Sequence, residues 1–119
     1  MTTQCLLVCE NGVMVAGVKA VLAEQTELEI HTISTNIEMK LAQTIETLHP
    51  DTVIVDEEVC ITLPAQLWKL LTSLPDLQVI IFNQNDNVLH IRLNKMSRES
   101  HVRKLGKIIR NHKSHSKFS

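Results

Sequence analysis

Three short, strongly apolar runs constrain this chain more than any other feature: Gln4-Cys5-Leu6-Leu7-Val8-Cys9, Thr52-Val53-Ile54-Val55 between Asp51 and Asp56, and Leu77-Gln78-Val79-Ile80-Ile81-Phe82. Each has strand length. Each is apolar at consecutive rather than alternate positions, the pattern of strands covered on both faces of a parallel sheet. Residues 13–23 are apolar almost all round, with Lys19 the one charge, and predict a helix packed deeply on that sheet. Gly17 inside it is expected to permit close helix–sheet approach.

Leu28-Glu29-Ile30-His31-Thr32-Ile33 alternates and predicts a half-exposed strand. Ser34, Thr35 and Asn36 are N-cap types ahead of a helix with Ile37, Leu41, Ile45 and Leu48 on one face, stopped at His49-Pro50. Thr62 is expected to cap a helix beginning near Leu63-Pro64, with Leu67, Leu70 and Leu71 inward and Pro75 as its stop. After Phe82 come five residues of turn chemistry, Asn83-Gln84-Asn85-Asp86-Asn87, and then an alternating strand with Leu89, Ile91 and Leu93 on one face and His90 and Arg92 on the other. A parallel crossover needs about a dozen residues or more, so this fifth strand is expected to return antiparallel as a hairpin with the fourth. A last helix is expected over residues 98–111 with Val102, Leu105, Ile108 and Ile109 inward, followed by a disordered polar tail over 113–119.

These elements predict one α/β domain over residues 1–112, a five-stranded sheet between two helical layers. A length of 119 residues is that of one ordinary domain. No apolar run approaches the ~20 residues of a membrane span, and the N-terminus lacks the basic start of a secretory signal. Cys5, Cys9 and Cys60 are three cysteines without CxxC spacing, which disfavours disulfides or zinc and points to a reducing cytoplasm. Trp68, Phe82 and Phe118 are the only aromatic residues, too few for base stacking, so nucleic acid is not the expected partner. Only Gly12, Gly17 and Gly106 occur, with no phosphate-cradling glycine loop, and an enzyme is not expected.

Charge is segregated. Residues 1–91 carry three basic and twelve acidic side chains, net −9, whereas 92–119 carry nine basic residues and Glu99, net +8. Arg103, Lys104, Lys107 and Arg110 fall largely away from the apolar stripe of the last helix and form a candidate interaction surface.

Several of these segments, in order, resemble a response-regulator receiver domain of the CheY-like family, over residues 4–112. The family's first strand ends in two acids, where this chain has Val8-Cys9-Glu10-Asn11. Its third strand is similar to Pro50-Asp51-Thr52-Val53-Ile54-Val55-Asp56, and its fourth to Pro75-Asp76-Leu77-Gln78-Val79-Ile80-Ile81-Phe82. The resemblance implies a flavodoxin-like three-layer fold with strand order 2-1-3-4-5, here with strand 5 antiparallel and the fourth helix missing. It implies Asp56 as phosphoacceptor for a histidine kinase, Glu10 and Asp56 as ligands of Mg²⁺, and Asn83 and Lys95 as counterparts of the residues that read the phosphoryl group. The chain departs from the family at those positions. Cys9 replaces the first acid and is a poor ligand for a hard cation, Asn83 is not a hydroxyl, and no Pro follows Lys95. An antiparallel fifth strand would carry Lys95 roughly 20 Å from Asp56. The resulting expectation is a pseudo-receiver of two-component type, needing no cofactor, acting on a downstream signalling protein, a histidine kinase or a second copy as a homodimer. The alternative is a true phosphoacceptor using Asp56 with Mg²⁺.

Overall fold

The computed structural model describes residues 3–23, 25, 27–83, 85, 87–93 and 96–116, without the side chains of 113–116. Along the chain run β1 (Thr3–Val8), α1 (Gly12–Leu22), β2 (Leu28–Ile33), α2 (Ile37–Leu48), β3 (Thr52–Asp56), α3 (Glu57–Thr62), α4 (Ala65–Ser73), β4 (Gln78–Asn83), β5 (Val88–Leu93), β6 (Met96–His101), a 3-10 turn at Val102–Lys104 and α5 (Leu105–Ser116). The strands form one mixed sheet in the order β2-β1-β3-β4-β5-β6. The first four are parallel, β5 runs antiparallel to β4, and β6 antiparallel to β5.

The consecutive apolar residues of β1, β3 and β4 divide by parity between the two faces. Cys5, Leu7, Ile54, Ile80 and Phe82 pack with Met14, Val18 and Leu22 of α1 and Leu105, Ile108 and Ile109 of α5. Leu6, Val8, Val53, Val55 and Val79 pack on the other face with Ile37, Leu41 and Ile45 of α2 and Leu71 of α4. Leu89 and Ile91 of β5 are buried on the α5 side, as their alternation predicts. Among the described residues no helix is long and apolar enough to cross a membrane.

Four expectations are corrected. The sheet has six strands, not five, so β5 is an inner strand. The added strand, Met96–His101, takes residues 98–101 from the start of the expected last helix, which begins only at Leu105 after the 3-10 turn. This edge strand is exposed almost throughout, so it carries no burial period by which a sequence could reveal it. A short helix, α3, precedes the expected one, which begins at Ala65 as α4. Thr62 does not cap α4, because its hydroxyl donates to the Val59 carbonyl inside α3 at 2.9 Å. Helix α1 buries only Met14, Val18 and Leu22, and Val13 stays 83% exposed. Gly17 is on its exposed side, and a Cβ there would meet nothing within 4 Å, so it serves no close approach to the sheet. The helical backbone of α5 extends to Ser116, four residues into the expected tail, and 117–119 lie outside the described residues.

Two outcomes follow from the packing. Gly17→Ala gains helix propensity without a clash and is expected to stabilise the fold by about 0.5–1 kcal/mol in urea denaturation. Burial first, and the charge of Asp51 second, push the Cys5 thiol up from 9.0 to about 12. The unfolded chain therefore releases this proton first, and stability present below about pH 9 is lost as pH rises towards 12. The urea midpoint should fall as pH is raised from 8.5 to 10.5, and fall less in Cys5→Ala.

Candidate functional site

Asp56 is the last residue of β3, at the C-terminal edge of the parallel strands. The register pairs Val8 with Val55 and Asp56 with Phe82, which puts Cys9, the residue after β1, beside Asp56. Asp56 is 3% exposed. Its Oδ1 accepts the Glu58 backbone N–H at 3.3 Å as the N-cap of α3. Its Oδ2 lies 3.8 Å from Cys9 Sγ, and that sulfur also lies 3.5 Å from the Asn11 carbonyl oxygen. A thiol has one proton, so it can donate to only one of the two at a time.

Burial raises the Cys9 thiol above its ordinary range; a backbone hydrogen bond at Asn11 that favours the thiolate opposes this, and the charges of Asp56 and Glu10 add to the rise. Cys9 therefore stays a neutral thiol next to a buried carboxylate. A thiolate would place a second negative charge against Asp56. Burial, with Glu57 adding and Arg92 opposing, likewise raises the Cys60 thiol.

Glu10 is exposed, and it lines a notch of about 340 Å³ with Asn36, Glu38, Met39, Val59 and Thr62, which Asp56 does not line. Among the described residues no group of three His, Cys, Asp or Glu side chains is placed to hold a metal ion. The donor set does not suit Mg²⁺. A hard cation demands oxygen ligands in near-octahedral array. Here Cys9 offers a protonated thiol rather than an oxygen, and Asp56 Oδ1 already caps α3.

The other expected positions disperse. Asn83 stands one residue beyond the Phe82–Asp56 pair, but its Oδ1 accepts the Asn85 N–H at 2.8 Å and its carbonyl accepts the Asn87 N–H at 3.2 Å. Its side chain is therefore engaged in the turn. Lys95 lies outside the described residues. The strand leading to it ends at Leu93, past the Arg92–Val79 pair and level with the Thr52 end of β3, the end away from Asp56. Arg103 and Lys104 in the 3-10 turn and Lys107 and Arg110 along the outer side of α5 are all exposed, and none is ion-paired among the described residues.

Two contacts escaped the sequence. Arg92 stacks its guanidinium 5.8 Å from the Trp68 ring centroid, and His90 Nδ1 lies 3.4 Å from Glu99 Oε1. Both lie on the face of β5 opposite α5. The Cys9–Asp56 contact, by contrast, is implicit in the order 2-1-3, because adjacent parallel strands in register bring their C-terminal residues together. Compared with known proteins, the chain matches no family model, no curated sequence and no solved structure.

Removing the Asp56 charge should relieve part of what holds Cys9 protonated. Iodoacetamide at pH 8, followed by peptide mass mapping, is expected to alkylate Cys9 faster in Asp56→Asn than in the parent chain. An equal or slower rate would mean that access, not charge, governs the thiol.

Proposed function

We propose that this chain is a receiver-like signalling module, of flavodoxin-like architecture, that acts through protein–protein contact without efficient phosphotransfer. The observation that carries this is the state of Asp56. A carboxylate nucleophile must meet its phosphoryl donor in line, with cations neutralising the charge that gathers between them. Asp56 is instead buried, caps α3 and faces a neutral thiol, with an ill-suited set of metal donors around it. The three parallel strands that place it support the receiver-like reading, and so do the acids on the edge around it, Glu10, Glu57 and Glu58.

Output on this reading runs through contact with a partner. Arg103, Lys104, Lys107 and Arg110, which make no ion pair among the described residues, offer one charged surface for a histidine kinase, a downstream protein or a second copy. The β6 edge is less suited to pairing with its own copy. An antiparallel register centred on Arg98 or Glu99 sets that residue against its twin, and like charges directly opposite are destabilising.

Intact mass after incubation with acetyl phosphate and Mg²⁺ tests the proposal. No adduct is expected. A gain of ~80 Da, one phosphoryl group, that disappears in Asp56→Asn would overturn it in favour of a working phosphoacceptor.

A further inference from the structure

A groove of about 290 Å³ lies at the opposite end of the sheet from Asp56, between the β5–β6 hairpin and α5. It is roughly twice an engineered cavity of ~150 Å³ that accepts benzene, and it approaches the size of small-molecule sites. Its apolar wall is built by register. Ile91 faces Arg98 and Leu93 faces Met96 across the hairpin, all four on the α5 side, and Ile108 covers them from the helix.

Two buried polar side chains border this apolar setting, beside the exposed Ser97, Arg98 and Asn111. Gln78 is 3% exposed and His112 7% exposed. Gln78 Oε1 accepts the Thr52 hydroxyl at 3.3 Å, which leaves its NH₂ as a donor with no partner among the described residues. His112 Nε2 lies 3.0 Å from the Asp76 carbonyl oxygen. That nitrogen must carry the proton to bond a carbonyl, so in the neutral ring Nδ1 is an acceptor, also without a partner there. No buried side-chain nitrogen or oxygen is unsatisfied among the described residues, so both atoms open on the groove rather than being sealed in. Arg98, exposed at the mouth, has no carboxylate partner among the described residues.

We propose that this groove binds a small organic carboxylate with an apolar body and one hydroxyl or N–H donor. The carboxylate meets Arg98, for which charge-assisted bonds are the strong ones. The body lies on Ile91, Leu93, Met96 and Ile108. A ligand acceptor satisfies the Gln78 amide, and the ligand donor satisfies His112 Nδ1. A purely hydrocarbon occupant would leave both polar atoms dry and unbonded, which disfavours it. The proposal is independent of any role for Asp56 and stands or falls separately from the receiver-like reading.

The probe is 4-hydroxyphenylacetate, titrated to about 10 mM into the ¹⁵N-labelled full chain, with Kd on the order of 1 mM or tighter expected for so small a ligand. Saturable amide shifts should cluster at Ile91, Arg98, Ile108 and His112. Phenylacetate, lacking the donor, should bind more weakly, and tyramine, carrying a cation in place of the anion, should not bind. Arg98→Glu should weaken binding at least about tenfold, and Met96→Trp should block the mouth. Both positions are exposed, so the fold tolerates them. No saturable shift with the parent chain, shifts centred elsewhere, or equal binding of tyramine would each overturn the proposal.

Discussion

The four residues between Asn83 and Val88 are too few to carry the chain across the sheet, and the rest of the structure follows from that limit. A parallel crossover needs room for a helix. Without it β5 can only turn back beside β4, and its direction reverses. β6 then rises beside β5, and α5 descends over Leu89 and Ile91, with His112 reaching the Asp76 carbonyl near the foot of β4. The face a crossover helix would have covered is instead finished by side chains: Arg92 against Trp68 and His90 against Glu99.

That reversal separates the molecule into two chemically different ends. At one end, loops leaving parallel strands gather acids around Asp56, and burial keeps Cys9 a neutral thiol beside it. Among the described residues the carboxylate there has hydrogen-bond donors but no ion-paired cation. At the other end, the foot of β4 meets the hairpin and the far part of α5. Polar groups set by main-chain geometry, Gln78 through Thr52 and His112 through Asp76, border an apolar wall. Glu10, Asp56, Glu57 and Glu58 lie where the parallel strands end, whereas Asp51 and Asp76 precede β3 and β4 at the opposite end, and the exposed cations Arg98, Arg103, Lys104, Lys107 and Arg110 lie on β6, the 3-10 turn and α5.

Much of this was legible in the residues. Consecutive apolar runs marked β1, β3 and β4 because a strand covered on both faces has no polar side to show. The period of two at Leu89 and Ile91 marked β5, and the short turn before it fixed its direction. Strand β6 was not legible, since Met96-Ser-Arg-Glu-Ser-His101 is wet on nearly every side chain and an edge strand has no burial to encode. Helix α1 misled in the other direction. Its composition is that of a buried helix, yet its outer side faces solvent and Gly17 touches nothing.

By itself, then, the sequence determined the sheet's buried strands, their alternation with helices, the antiparallel return and the placing of Asp56 at a strand end, because burial period and chain length are local properties that residues carry with them. The tertiary structure alone decided that Asp56 is buried against a protonated Cys9 and that β6 closes the edge. It alone decided that Gln78 and His112, 34 positions apart, line one groove. Those outcomes depend on which strands lie side by side and what desolvates them, and burial and charge are set by neighbours in space rather than by neighbours in the chain.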